Sequence, residues 1–335
     1  MKNSFYNLLF LPIVSLVFLN GCQAQEYGNH LLKLQNHIDL PNVVGRIDHI
    51  DINIKDKIVY IAALGNNTLE VVDLKSGKVS GKITGLDEPQ GVAYIDKHKE
   101  LVIANGGTGE CRIYNALTLK QIGSIQLNDD ADDVRYDSET DKIYVGYGSG
   151  GIAIIDASTL KLIGKITLPA HPESFQLDTK LNKLWVNLPG SGMIGVCNLM
   201  NLKLTTKWTQ LLPRANFPMA YNEIQHRLII GYRIPAKLIV YNSETGKEIV
   251  SAPMVGDADD IYWDKRTKEI YISGGGGFIN IFKQSGGGFY TQIANIKTRK
   301  GARTSLLVPE LGLFLIAANS NKNEPGTLMI YKTMK

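Results

Sequence analysis

The sequence predicts an all-β fold, a seven-bladed β-propeller whose ring is closed by an N-terminal strand that completes the last blade. Three observations predict it: a repeat of about 42 residues, strand-like alternation without any helical stripe, and an extra strand-like segment before the first repeat. A chain of 335 residues would ordinarily suggest two domains, but closed all-β folds often exceed the usual domain size. A single domain over residues 30–335 is therefore expected.

The repeat is visible as short apolar segments, typical of strands, that recur every 41 to 44 residues. They begin at Ile58, Leu101, Ile143, Leu184, Leu228, Ile270 and Leu313. A second column of Asp, Asn and finally Lys residues ends the next strand of each repeat, with one longer last step. Each repeat holds three clear strands and a weaker fourth, and four short strands in roughly 40–45 residues make a propeller blade.

The two ends of the repeat array predict how the ring closes. Residues 31–40 read as an additional strand that Pro41 ends, whereas the final repeat runs out after its third strand at Tyr331. We expect the early segment to supply the missing outer strand of blade 7. Such closure removes the exposed edges that an open sheet must otherwise protect.

The N-terminus has the pattern of an export signal. Lys2 precedes an apolar run over residues 8–19, and Gly21 is followed directly by Cys22. The pattern resembles a bacterial lipoprotein signal over residues 1–21, cut before Cys22, with lipid on that cysteine and residues 22–29 as a tether. An ordinary cleaved signal is the alternative. The lipoprotein interpretation predicts a protein of the cell envelope, on the periplasmic or outer-membrane side, that meets the membrane through its lipid anchor only.

Charge and cysteine content exclude several classes of function. The net charge of +4 comes without clustered basic residues, so no nucleic-acid partner is expected. Cys111 and Cys197 lie in strand-like segments and are expected to be buried free thiols. No CxxC or Cys/His metal spacing is present, so the fold does not depend on disulfides, and a monomer is expected.

Polar residues concentrate where each blade begins. In a propeller, the connection entering the innermost strand and the connection between the second and third strands emerge on one face, around the channel mouth. We predict that this mouth binds a small polar or anionic ligand. The candidate ligand-binding residues are Arg46, Asp48, Asp132, Glu173, Arg214, Asn216, Arg233, Asp257, Asp259, Asp260 and Arg303. Each also has a structural interpretation, because Asp commonly caps a turn and Arg can merely neutralise a neighbouring carboxylate.

An enzyme is the main alternative. In a propeller lyase or lactone hydrolase, His49 or His171 would act as general base, with Arg303 or Arg214 stabilising the developing anion. A divalent metal is a further option, although Asp48 and His49 are neighbours on a strand and are expected to point to opposite faces. Packing of both histidines in the core is the structural interpretation. A protein-interaction scaffold is the third function considered.

The blade entries carry a resemblance to one known family over residues 46–49, 63–67, 88–91, 130–137, 171–175, 216–220, 257–260 and 301–304. They are similar to the seven-bladed YncE-like propellers, also called the YVTN-repeat group, and in particular to its exported bacterial lipoproteins. Two departures are Asp133, where Asn is more usual, and Tyr221-Asn222, where Leu-Asp is more usual. The resemblance implies the propeller fold but no single activity, since the wider group includes binding proteins and its fold is shared with enzymes.

Overall fold

The computed structural model describes residues 25–209 and 211–334, which form seven four-stranded antiparallel sheets arranged as the blades of a propeller. The predicted all-β, seven-bladed fold is confirmed. The predicted signal peptide and the predicted lipidation site, Cys22, lie outside the described residues. Within the described part of the chain, no helix is long and apolar enough to cross a membrane.

Strand β1 (Leu32–Leu40) precedes the first blade. Blades 1 to 6 each run in chain order from an inner strand at the channel to an outer strand, and blade 7 follows the same order in its first three strands. Blade 1 contains β2 (Ile50–Asn53), β3 (Ile58–Ala63), β4 (Thr68–Asp73) and β5 (Lys78–Ile83). Blade 2 contains β6 (Pro89–Ile95), β7 (Glu100–Asn105), β8 (Glu110–Asn115) and β9 (Gln121–Gln126). Blade 3 contains β10 (Ala131–Asp137), β11 (Lys142–Tyr147), β12 (Gly151–Asp156) and β13 (Lys161–Thr167).

The remaining blades follow the same order. Among residues 25–209 and 211–334, three short 3-10 helices lie in connections: Leu64–Asn66, Pro189–Ser191 and Gly286–Gly288. Blade 4 contains β14 (Phe175–Asp178), β15 (Lys183–Leu188), β16 (Met193–Asn198) and β17 (Lys203–Thr209). Blade 5 contains β18 (Arg214–Asn222), β19 (Arg227–Ile234), β20 (Ala236–Asn242) and β21 (Glu248–Pro253). Blade 6 contains β22 (Ala258–Asp264), β23 (Glu269–Gly274), β24 (Phe278–Gln284) and β25 (Tyr290–Lys297). Blade 7 contains β26 (Thr304–Val308), β27 (Leu313–Ala318) and β28 (Gly326–Thr333).

Ring closure occurs as predicted. β1 pairs antiparallel with β28, from Leu32 opposite Thr333 to Leu40 opposite Gly326, and so becomes the outer strand of blade 7. The side chains of Ile38 and Leu40 are fully buried in this sheet. The first and last segments of the described chain are thereby joined in one sheet.

The Asp and Asn residues of the second repeat column act at the turns between third and outer strands. Asp73 accepts a hydrogen bond from the backbone N–H of Lys75 (2.8 Å), and Asn115 from that of Thr118 (2.9 Å). Asp156, Asn198 and Asn242 repeat the arrangement in their own blades. Short polar side chains that bond backbone two or three residues ahead favour such turns, which explains the repeat at these positions.

Inner strands of neighbouring blades do not pair with each other, and side chains join them instead. Asp51 accepts a hydrogen bond from the backbone N–H of Tyr94 (2.6 Å), one blade further on. Gln176 donates to the carbonyl of Met219 (2.8 Å), and Asp260 accepts from the N–H of Ser305 (2.6 Å). These bonds surround the channel and hold the blades in register.

The two cysteines agree with the prediction. Cys111 in β8 and Cys197 in β16 are free and buried, and burial raises the pKa of each thiol to about 12. Each packs in the apolar core between blades, so both behave as small apolar side chains.

Candidate ligand-binding site at the channel mouth

The connections that enter the inner strands surround a cavity of about 270 Å³ at the channel mouth. The ladder between first and second strands is irregular at these entries, for example between Ala131 and Val134 and between Ala258 and Asp260. Such bulges turn side chains out of the regular alternation, and here they direct the polar entry residues toward the channel. The cavity is lined by Arg46, Asp48, His49, Gln90, Asp130, Asp132, Asp133, Arg135, His171, Glu173, Ser174, Phe217, Arg233, Asp259, Asp260, Arg303 and Thr304.

His49 lies between two carboxylates. Its Nδ1 is 3.1 Å from Asp48 Oδ1, and its Nε2 is 3.7 Å from Asp133 Oδ1. Burial lowers the pKa of His49, but the hydrogen bond to Asp48 and the negative charges of Asp48 and Asp133 hold it well above its usual value. These contacts favour the imidazolium form of His49.

The expectation that Asp48 and His49 point to opposite faces is wrong. The two residues precede β2, which begins at Ile50, so the alternation of a regular strand does not apply to them. Asp48 also pairs with Arg46, whose Nη2 is 2.7 Å from Oδ2. Burial acts to raise the pKa of Asp48, but His49 and Arg46 keep it below its usual value.

His171 forms the second histidine–carboxylate contact. Its Nδ1 donates to the carbonyl of Gly148 at 2.7 Å, and its Nε2 is 3.5 Å from Asp132 Oδ2. The interaction with Asp132 raises the pKa of His171 to about 9 against the opposing effect of burial. Glu173 lies two residues further on, and burial together with the charge of Asp132 raises its pKa to about 7. This part of the mouth therefore holds dissociable protons near neutral pH.

The opposite side of the mouth is an arginine–carboxylate network. Arg303 Nε is 2.7 Å from Asp259 Oδ2, and Arg233 pairs with the other oxygen of the same carboxylate. Arg233 also stacks on the ring of Phe217, at 3.7 Å from its centroid. Arg303 is held a second time by Asp257, with Nη1 3.0 Å from Oδ1. Both arginines are therefore oriented before any ligand arrives.

The balance of charge at the mouth favours a ligand that brings hydrogen-bond donors. Seven carboxylates, four arginines and two histidines line the cavity. Each of the four arginines already pairs with a carboxylate, namely Asp48, Asp133 or Asp259. By contrast, the buried Oδ1 of Asp132 has no hydrogen-bond partner among the described residues. Such an atom is costly unless a donor reaches it.

Ten of the predicted ligand-binding and catalytic residues line the cavity, and three do not. The ten are Arg46, Asp48, His49, Asp132, His171, Glu173, Arg233, Asp259, Asp260 and Arg303. Arg214 is exposed and donates to the carbonyl of Leu211, so its placement in the mouth is corrected. Asn216 is buried outside the cavity, where it bonds Asn187 Oδ1 (2.9 Å) and the carbonyl of Met193. Asp257 stands behind Arg303 at the rim.

Sequence reasoning omitted several lining residues from the predicted site. Arg135 is one: it follows the residue that opens the third repeat and therefore occupies a channel-facing register position. Asp51 and Gln176 hold the equivalent positions in blades 1 and 4, so register along the inner strands would have indicated all three. The other lining residues absent from the prediction are Gln90, Asp130, Asp133, Ser174, Phe217 and Thr304.

A second cavity, of about 420 Å³, continues the channel below the mouth. The two cavities share His49, Arg135, Ser174, Asp259 and Asp260, so these residues form the boundary between them. Burial raises the pKa of Asp260 to about 7 and that of Asp51, deeper in the channel, to about 6. The metal option has no geometric support in the described part of the chain, where no three His, Cys, Asp or Glu side chains are arranged to hold an ion.

Comparison with known proteins adds support for the fold. No protein-family model and no curated protein sequence matches the chain. A chain in the crystal structure of the mitotic checkpoint complex is 15% identical, with a TM-score of 0.76 over 100% of this chain and 99% of that chain. The WD40 repeats of RRP9 are 8% identical, with a TM-score of 0.78 over 92% of this chain and 99% of that chain. A chain of the Kuenenia stuttgartiensis hydrazine synthase is 14% identical, with a TM-score of 0.74 over 89% of this chain and 98% of that chain. At these identities the likeness concerns the propeller fold alone.

Proposed function

We propose that the chain is an envelope-anchored propeller of the YncE-like type that binds a small polar ligand at its channel mouth. The concave, polar cavity and the converging His, Arg and carboxylate side chains support a binding site. The pairing of all four arginines favours a ligand with amine, amide or hydroxyl donors over a simple anion.

The observation that carries the proposal is the unpartnered Oδ1 of Asp132. The residue is more than nine-tenths buried, and its other carboxylate oxygen faces His171 at 3.5 Å. A hydrogen-bond donor on the ligand would satisfy Oδ1 of Asp132. The site would then bind that ligand more tightly than an analogue without the donor, because the analogue would leave Oδ1 desolvated and unpaired.

The test begins with mass spectrometry of small molecules that co-purify with residues 23–335, followed by calorimetric titration with the compound found. We expect Asp132→Ala to weaken binding at least about tenfold, the loss of roughly one charge-assisted hydrogen bond. Asp156→Ala, in an exposed turn at the opposite end of its blade, is the matched control and should bind normally. Equal affinities for wild type and Asp132→Ala would refute the site.

An enzyme remains the second candidate, with altered roles. His171, with its pKa raised to about 9, is a cation at neutral pH, and the contacts of His49 also favour its imidazolium form, so neither histidine is suited to act as general base in this state. Glu173, with a pKa of about 7, is suited to accept a proton, with the imidazolium of His171 as the neighbouring cation. Turnover of the co-purified compound that rises with pH around 7 and is lost in Glu173→Gln would favour a lyase or hydrolase.

Anchoring has its own test. Lipid on Cys22 predicts that the chain fractionates with membranes and that Cys22→Ser releases it in soluble form. Mass spectrometry of the N-terminal peptide would show the added acyl groups. An unmodified N-terminus at another cleavage position would refute the anchor while leaving the ligand site untouched.

A further inference from the structure

Blade 5 carries an apolar tip on the mouth face. The pairing of its first two strands extends further toward the mouth than that in blade 3. Asn216 opposite Tyr232 corresponds to Ala131 opposite Tyr147, which is the last pair in blade 3. Blade 5 has one more pair beyond this point, Arg214 opposite Ile234. The blade 5 tip, defined here as Leu211, Leu212 and Ile234, stands at this extension. These side chains are 89%, 66% and 61% exposed. Three large exposed apolar side chains at the end of one hairpin are unusual on a protein surface.

The other face shows a different pattern. Its exposed apolar residues, such as Leu117, Met200 and Ile224, each stand singly in the turn of a separate hairpin. Isolated exposed apolar side chains are normal and need no partner. The blade 5 tip is therefore the feature that calls for an occupant.

The charge around the tip identifies the chemistry of that occupant. Three basic residues, Lys207, Arg214 and Lys237, lie toward the mouth-side ends of β17, β18 and β20 in blades 4 and 5. The other basic residues of these two blades lie toward the opposite face, apart from Arg233, which pairs with Asp259. Apolar side chains surrounded by basic ones are the composition of surfaces that enter the interface of an anionic bilayer.

The N-terminal segment leaves the propeller at the same face. Tyr27 pairs with Asn295 on β25, and the N–H of Lys297, the last residue of that strand, donates to Glu26 Oε1. Because β25 runs toward the mouth face, the chain before Tyr27 runs back toward that face. Gln25 follows Cys22 by three residues, and three residues span at most about 11 Å. A lipid on Cys22 would hold blade 6 with its mouth side close to the bilayer.

We propose that the propeller sits with its mouth face toward the membrane and that the blade 5 tip enters the bilayer interface beside the lipid anchor. This orientation rests on the anchor in the proposed function, but the tip itself can be tested without it. Because the paired hairpin of blade 5 extends beyond the equivalent point of blade 3, the tip would reach the surface first and hold the mouth off it. The ligand would then enter the channel from the membrane side.

Vesicle binding by the unlipidated chain, residues 23–335, tests the tip. We expect it to co-sediment with vesicles of phosphatidylethanolamine and phosphatidylglycerol, more weakly with phosphatidylcholine, and less at high salt. Leu211→Ser/Leu212→Ser/Ile234→Ser should reduce partitioning about tenfold or more, because three apolar side chains no longer leave water. The matched control, Met200→Ser/Ile224→Ser on the opposite face, should bind as wild type does.

Several outcomes would overturn the proposal. One is a triple variant that partitions into vesicles as well as wild type does. Another is an equal loss of partitioning in the control variant. A third is a wild-type chain that binds another protein through the tip and has no affinity for vesicles. In a second measurement, hydrogen exchange of the lipidated full chain on vesicles should slow at residues 211–214 and 233–237. Slowing at the turns of the opposite face would reverse the orientation. A Cys22 without lipid would refute the anchor alone, since the unlipidated chain tests the tip.

Discussion

At the scale of single residues, three groups of the channel, His171, Glu173 and Asp260, bind protons more tightly in the folded chain than in the unfolded one. Asp132 raises the pKa of His171 to about 9 by accepting its hydrogen bond, whereas burial raises the pKa of Glu173 and Asp260 to about 7. The first effect stabilises the folded protein while the imidazolium is present. The second costs stability once the carboxylates ionise.

The resulting pH dependence has a definite sign. The contribution of His171 is complete below its ordinary pKa of 6.5 and is lost as pH rises through about 9. Glu173 and Asp260 keep their protons in the folded state up to about pH 7, so their ionisation also lowers stability as pH rises. The free energy of unfolding, measured with denaturant, should fall from pH 5 to pH 9. Glu173→Gln should reduce the fall in the free energy of unfolding between pH 5 and 7 and leave the fall between pH 7 and 9 unchanged. A free energy of unfolding that rises with pH over this range would contradict the prediction.

At the scale of elements, side-chain bonds between inner strands replace the strand pairing that is missing at the channel. Asp51 accepts from the N–H of Tyr94 in blade 2 (2.6 Å) and from that of Ile52 (2.8 Å) in its own strand. Asp51 is partly buried, so the two bonds are shielded from much of the solvent and both donors depend on its carboxylate.

Substitution of Asp51 tests this role. Asp51→Ala should lower the free energy of unfolding by about 1–3 kcal/mol, because two backbone donors lose their acceptor. Asp51→Asn, which keeps an acceptor oxygen, should lose distinctly less. Urea denaturation measures both, with Ser76→Ala in an exposed turn as the control. Equal losses for Ala and Asn would show that the carboxylate acts through charge rather than through these bonds.

At the scale of the whole molecule, stability depends on closing the ring. β1 covers the edge of β28 and places Leu32, Ile38 and Leu40 in buried positions. Thr327 strengthens the contact by donating to the carbonyl of Ile38 at 3.0 Å. Without β1, β28 would be an unpaired edge, which invites aggregation.

Truncation tests closure. A chain that begins at Asn42 should aggregate or melt well below the full domain, since it lacks the outer strand of blade 7. A chain that begins at Asn29 retains β1 and loses the contact of Tyr27 with β25, so it should melt close to the longer form. Thermal unfolding with light scattering measures both. Similar behaviour of the two truncations would mean that six complete blades suffice.

Much of the fold could be predicted from local pattern. The repeat placed the blades because each strand is marked by its own alternation, and each opposite-face turn by an Asp or Asn such as Asp73 or Asn115. The missing fourth strand of blade 7 and the surplus strand at residues 31–40 together predicted the closing pair, because each lacks a partner unless the two ends of the chain meet.

The candidate site was only partly predictable. Arg214 and Asn216 stand at blade-entry positions, yet neither points into the mouth. Arg214 lies on the extended end of the blade 5 hairpin and points to solvent, whereas Asn216 occupies the position that the buried Ala131 holds in blade 3 and bonds within the core. Asp48 and His49 touch because they precede the regular strand.

By itself, the sequence determined the number of blades, the strand that closes them and the face on which charge collects, because these follow from spacing along the chain. The tertiary structure alone decided which charges meet and which stay protonated. His49 faces Asp133, and Thr304 donates to the carbonyl of Ile47, across sequence separations that only ring closure brings together. Burial at the channel then sets the pKa of Glu173 and Asp260, and burial is a property of the assembled ring.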